Sequence, residues 1–390
     1  MNRGPAGWLW GVAHGVAWKS FALLSKAAFL LLVAPGLPDG EFSAYVFLAT
    51  IGLLGARVLA FGISDQLVIE IRGSRSEAAR YVPLFHGLLA VGIVSAAAST
   101  VAPGPWVAAA LTLVLLAGSV LEGLLRSCAP DHYERLTNLA PMLFLAACLG
   151  DRPTSAYRLV GLFTGATILA QMLSAAGSGV GVGRVRTVRA LSVVSLVKLA
   201  RRGIGKMLAE LTLLANIRAV LLWPKLLAGT LASDSIAFAV TIAEAASTIP
   251  MVVVNRNYAR FANTPGPSAP PVWSAAGAVL LMAAFGSIAL ALPALERFLD
   301  VAILMRVRVP DVAWAMAYLG VITAYYDLRY HAWSQGVPSR PFNAAQLGFF
   351  ALQGAVVWVL PASAHLAAIS LCAGLFLLAW VVVAQVSRGR

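Results

Sequence analysis

Five basic side chains stand inside apolar runs of this sequence. Lys19 and Lys26 lie in the run 9–33, Arg57 in 45–64, and Arg218 and Lys225 in 207–229. Ammonium and guanidinium groups bind carboxylates and phosphates, the guanidinium through a two-pronged fork. At a bilayer centre such a charge costs about 2.5–3.5 kcal/mol on insertion scales, so it persists where it meets water, a partner or an anionic ligand. Lys19 and Lys26 are seven residues apart, which is two helical turns and therefore one face; Arg218 and Lys225 have the same spacing. Counting about 1.5 Å per residue, Lys19 and Arg218 each fall roughly 15 Å inside their runs, near mid-membrane. Lys26, Arg57 and Lys225 are nearer the ends. They fit either a cationic lumen or side chains snorkelling to headgroups. One acid, Glu244, lies deep in the run 235–254; it either couples transport to a proton or sodium ion or pairs with Lys19 or Arg218. It cannot neutralise the set, because five cations against one anion leave an excess of four positive charges.

The elements that must position these charges follow from composition. Of 390 residues, 60% are hydrophobic and 12% charged, and the mean hydropathy is +0.82. A soluble domain is about half apolar and about a quarter charged, so a water-soluble enzyme, disorder, collagen and coiled coil are all excluded. Runs long enough to span a bilayer occur at 9–33, 45–64, 82–101, 106–125, 137–150, 158–176, 207–229, 235–254, 273–293, 310–327, 342–360 and 364–385. They predict an all-α polytopic membrane protein with about twelve transmembrane helices. The runs are continuous, unlike the alternating strands of a membrane barrel. The first carries lysines and is too long for a signal-peptide core, so it reads as an uncleaved helix. Residues 294–309 are amphipathic and predict an interfacial helix.

Charge sets the orientation. The net charge is +13 from 29 Lys+Arg and 16 Asp+Glu. With a cytoplasmic N-terminus, nineteen Lys and Arg fall on cytoplasmic segments against five in outer loops (Arg152, Arg158, Arg297, Arg306 and Arg308). That bias places both termini in the cytoplasm and accounts for the basic pI without nucleic acid. The longest loop, 177–206, opens Gly-Ser-Gly-Val-Gly-Val-Gly and then turns basic. It reads as a linker between an N-terminal lobe, 1–176, and a C-terminal lobe, 207–390. Its Arg/Val/Leu mixture also suits an interfacial amphipathic helix on an anionic lipid surface. A weak repeat relates the lobes: Ala44-Tyr45 and Ala237-Phe238 each follow an acidic loop, 193 residues apart. Six spans per repeat make the lobes parallel pseudo-repeats around a central cavity.

Other chemistry is sparse. Cys128, Cys148 and Cys372 have no zinc-site or disulfide spacing. The five histidines are dispersed, no catalytic set or metal cluster is discernible, and no cofactor is expected; the chain does not read as an enzyme. Tyr318, Tyr325, Tyr326, Asn216 and Trp223 either face a sugar or belong to interfacial belts and packing. Pro224 and Pro250 predict bends.

On these features the chain resembles the polysaccharide (O-antigen, Wzx-type) flippase branch of the multidrug/oligosaccharidyl-lipid/polysaccharide exporter superfamily. As architecture the resemblance covers nearly the whole chain. Locally it rests on Glu41-Phe42-Ser43-Ala44-Tyr45, on Leu53-Leu54 through Phe61-Gly62-Ile63, and on the echo Asp234-Ser235-Ile236-Ala237-Phe238. It implies movement of a lipid-pyrophosphate-linked oligosaccharide from the inner to the outer leaflet of a bacterial plasma (inner) membrane by alternating access. Lys19, Lys26, Arg57, Arg218 and Lys225 match that family's cationic lumen in kind. Its partners are then a lipid-linked anionic glycan, anionic membrane lipids, a polysaccharide polymerase and glycosyltransferases. Two other readings stay open: a multidrug cation exchanger of the same fold, and a membrane glycan polymerase or ligase.

Overall fold

A computed structural model of the chain describes residues 5–71, 75–101, 104, 106–179, 193–247, 287, 308–334 and 339–386. Nearly all of the expected ninth span, Pro250, and the stretch 294–307 lie outside these residues. The chain divides into two compact units, Met1–Leu211 and Thr212–Arg390. Among the described residues six helices are long and apolar enough to cross a membrane, and a bent pair makes a seventh. This is an all-α, multi-pass membrane fold. A backbone in lipid must satisfy its own hydrogen bonds, and continuous apolar runs do so as helices.

The first unit contains α1 (Pro5–Leu32), α2 (Glu41–Ala60), α3 (Ile63–Ile71), α4 (Arg75–Ala79), α5 (Val82–Val101), α6 (Trp106–Cys128), α7 (Pro130–Asp151), α8 (Ala156–Ser178) and most of α9 (Val193–Ile217). Helix α6 is its axis. Leu111, Val114, Ala117, Val120, Leu121, Leu124 and Leu125 of α6 are inaccessible to solvent and recur at the three- and four-residue spacing of a helical stripe. Helices α2, α3, α5 and α8 pack around it. Apolar side chains gain little by leaving lipid for one another, so close backbone approach carries the association. Small residues permit it: Gly52 of α2 abuts Leu111, Gly92 of α5 abuts Val114, and Gly123 of α6 abuts the Ser64 carbonyl. Gln171 of α8 adds a buried hydrogen bond from Nε2 to the Val114 carbonyl at 2.8 Å.

The residues that carried the family resemblance hold one end of this unit together. Glu41 Oε2 accepts the Ala156 N–H at 2.6 Å, capping the positive N-terminus of α8. Phe42 is fully buried, and Tyr45 stacks on Phe144 at 5.8 Å. Phe29 of α1 meets Phe144 of α7 at 4.9 Å. The fifth expected span, short as 137–150, is the apolar half of the longer α7.

Helix α3 was not foreseen, although its pattern was present. Ile63, Leu67 and Ile71 recur every four residues and face the core, while Glu70 is exposed and Asp65 turns to Arg126 of α6. The segment 177–206 reads in sequence as a linker or an amphipathic helix, and residues 180–192 of it lie outside the described residues. From Val193 onward it is helix, continuous with the first half of the seventh span.

The second unit contains the end of α9, α10 (Ala219–Ala228), α11 (234–247 as far as described), α12 (Val309–Ser334), α13 (Ser339–Val359) and α14 (His365–Val386). Helix α10 lies on α13 through Trp223, whose Nε1 donates to the Phe350 carbonyl at 3.1 Å and whose ring lies against Gly354. Helix α12 lies on α14, where Ser370 Oγ donates to the Trp314 carbonyl at 2.8 Å. Helices α2 and α11 begin at Glu41 and Asp234, separated by the same 193 residues as the sequence echo.

Candidate functional site

The seventh span is broken. Helices α9 and α10 meet at Arg218 with a bend of 80°. The cause is a set of polar groups that replace helical hydrogen bonds. In an unbroken helix the Asn216 carbonyl would accept from residue 220. Here it accepts the Tyr318 hydroxyl at 2.5 Å. Asn216 Nδ2 donates to the carbonyls of Thr212 and Gln346 at 2.8 and 3.1 Å, and its Oδ1 accepts from Gln353 Nε2 at 2.8 Å. Thr212 Oγ1 donates to Gln346 Oε1 at 2.7 Å. All five residues are buried, so every bond in this set is shielded from competing water. Beyond the break, the Arg218 carbonyl accepts from Leu221 and Leu222 and starts α10.

At the break Arg218 meets Glu244 of α11. Nη2 donates to Oε2 at 2.6 Å, and Nε lies 2.6 Å from Oε1. The side chains are 12% and 21% exposed, so the pair is largely desolvated. Of the two roles open to Glu244 in the sequence, this contact is the pairing one.

Arg218 and Lys225 differ in setting: Arg218 is largely buried against Glu244. Lys225 is exposed, and its Nζ donates to the Gly229 carbonyl at 2.7 Å at the C-terminal end of α10. That position suits a cation against the helix dipole. Lys19 and Lys26 do share a face, because α1 is continuous through both, and each is partly buried.

Arg57 belongs to a different set, at the far end of α2 in the first unit. Its Nη1 lies 3.0 Å from Glu210 Oε2 of α9, with both side chains about a third exposed. Around it, Arg126 pairs with Asp65 at 2.8 Å and with Glu122 at 3.6 Å, and Arg202 pairs with Glu70 at 3.4 Å. Gln66 Nε2 donates to the Arg202 carbonyl at 3.4 Å. These contacts clamp α9 on α2 and α3. Arg57 and Arg218, both expected to line the lumen, thus have carboxylate partners.

Tyr318, Asn216 and Trp223 point into protein packing, as described, and Tyr325 is buried against Phe376 at 5.4 Å. The Tyr326 side chain lies outside the described residues. Sequence reasoning missed Gln346 and Gln353. Their signal was a polar pair seven residues apart in the apolar stretch of α13 that follows Asn343. Among the described residues no group of three or more His, Cys, Asp or Glu is placed to hold a metal ion.

The polar set makes a first prediction. Tyr318→Phe leaves the buried Asn216 carbonyl without its donor, and is expected to cost about 1–3 kcal/mol. A lowered unfolding midpoint of the purified protein would register it; an unchanged midpoint would mean that Tyr318 does not hold the break.

No family model matches the sequence, and no curated protein matches it at significant similarity. Solved structures do match in fold. A crystal structure of MATE in complex with MaL6 is 13% identical, with a TM-score of 0.50, over 94% of this chain and 91% of that one. An outward-facing multidrug resistance MATE family transporter of the MOP superfamily is 12% identical, with a TM-score of 0.49, over 96% of this chain and 93% of that one. The likeness is one of architecture: along almost its full length this chain takes up the all-α, multi-pass fold of the MATE structure solved with MaL6.

Proposed function

We propose that this protein is a transporter that moves a lipid-pyrophosphate-linked oligosaccharide from the inner to the outer leaflet by alternating access. The observation that carries the reading is the sign of the charge at membrane depth. Lys19 and Lys26 lie on one face of the unbroken α1, and the deep acid Glu244 is already committed to Arg218. A site of that sign attracts a diphosphate and repels an organic cation. The MATE-like fold supports an exporter in general and serves a cation exchanger equally well. Such an exchanger needs acids available for cations and protons, and the engagement of Glu244 weighs against it. In this reading the lysine face of α1 meets the diphosphate. The host membrane is a bacterial plasma membrane with both termini cytoplasmic, and the lobes 1–176 and 207–390 are the moving bodies. A polysaccharide polymerase and glycosyltransferases are the partners this substrate implies.

Lys19→Gln tests the reading directly. It removes one charge from α1 without removing bulk, and surface glycan is expected to fall roughly tenfold, the scale of one charge-assisted phosphate contact. Protein level is measured alongside. Normal surface glycan at normal protein level in Lys19→Gln and Lys26→Gln alike would refute the lumen role of α1. Glycan units trapped on the inner leaflet of a deletion strain would support export over polymerisation.

A further inference from the structure

The second unit holds an open-sided cavity of about 400 Å³ between α10, the loop that follows it, α11, α13 and the start of α14. Its walls are mainly apolar, with Leu227, Ile236, Val357 and Trp358 among them; its polar members are Thr230, Ser233 and His365. The His365 ring is buried and its Nε2 lies 2.8 Å from the Leu360 carbonyl, so one face of that imidazole is already engaged. Large apolar side chains stand exposed beside the cavity: Trp358 at 72%, and Leu226 and Val359 nearby. In a chain that spans a membrane such side chains meet acyl chains, and an exposed tryptophan marks the headgroup level. Next to this chamber is a cation. Lys225 sits on α10 between the lining residues Pro224 and Leu227. Its ammonium has three donors, of which the Gly229 carbonyl takes one.

We propose that this cavity receives the hydrocarbon chain of a single-chain, phosphate-bearing lipid, with Lys225 on the phosphate. The inference rests on the export reading and deepens it, assigning Lys225 to a lipid-facing site rather than to the lumen. The volume is at the small end of ligand pockets and suits one chain rather than two. Moving a chain from bilayer to an apolar cavity gains little, because lipid is as apolar as leucine. Selectivity therefore resides in the charge: the chain fits, and the lysine decides which chain stays. In the orientation read from the basic residues this site lies toward the outer leaflet, where an exported lipid phosphate arrives.

The test is photolabelling of the full chain in phosphatidylcholine nanodiscs. One probe is an isoprenyl phosphate carrying a diazirine on its chain; the other is the same chain as an alcohol. Labelled peptides are expected around Leu227 and Trp358, with the phosphate probe favoured roughly tenfold. Lys225→Gln should erase that preference. Ala362→Trp, which places a large ring at the cavity lining, should reduce labelling by both probes. Label spread over the lipid-facing helices and indifferent to Ala362→Trp would overturn the cavity. Equal labelling by phosphate and alcohol in the unsubstituted protein would overturn the role of Lys225. Displacement by phosphatidylglycerol as effective as by unlabelled isoprenyl phosphate would overturn the single-chain assignment. The readout needs no glycan and no transport, so its failure is distinct from failure of the Lys19→Gln export test.

Discussion

Alanine at Gly203 is expected to unseat α9 from the first unit. Its Cβ would stand 1.8 Å from the Phe61 carbonyl oxygen, a separation at which no carbon and oxygen coexist without a bond. The obstacle is backbone, so no side-chain rotation relieves it. Nor can the carbonyl turn aside cheaply. Phe61 and Gly62 both hold left-handed conformations, with φ of 45° and 66°, and such a turn has few alternatives for a residue bearing a Cβ. The helix must retreat, and the contacts flanking Gly203 retreat with it: Arg202 with Glu70, Gln66 with the Arg202 carbonyl, and Arg57 with Glu210. Overpacking alone costs about 1–3 kcal/mol, and the lost clamp puts this case at the upper end. The control is Gly165→Ala in α8, where a new Cβ meets nothing within 4 Å. There alanine is the better helix former by about 0.5–1 kcal/mol, so the unfolding midpoint holds or rises. Equal midpoints for the two variants would show that α9 does not press on this turn.

Arg218→Gln is the second large effect. Removing one partner of a buried ion pair costs about 3–5 kcal/mol, because the other charge stays buried alone. With 12% and 21% of the two side chains exposed, water relieves part of this, and about 3 kcal/mol is expected. The double variant Arg218→Gln/Glu244→Gln should recover most of the loss, since two amides need no counterion. Unfolding of the single and double variants measures that recovery. Surface glycan separates the roles. If Arg218 meets the substrate, the stable double variant still exports poorly. If the pair only braces the bend, stability and export return together.

The places where local reading failed have physical causes. Pro224 was the visible reason for a bend in the seventh span, yet the break lies at Arg218, six residues earlier. It is made by a hydroxyl 102 residues away that competes for the Asn216 carbonyl. No window along α9 contains that information. Helix α3 failed differently: its four-residue apolar spacing was in plain view, but at nine residues it is too short to register among spans of twenty. Glu210 lies 153 residues from Arg57 in sequence, and only the packing of α9 on α2 brings the two together.

Sequence by itself determined that this is an all-α membrane protein. A bilayer leaves a backbone no hydrogen-bond partner but itself, so apolar runs of about twenty residues have one solution. It also located every charge along that backbone, and it aligned the starts of α2 and α11 through the 193-residue echo. The tertiary structure decided which charges are neutralised and which share a face. That depends on how each helix is rotated against its neighbours, and on a bend made by a distant tyrosine. Spacing along a chain orders side chains on one straight helix; it says nothing of what stands opposite them.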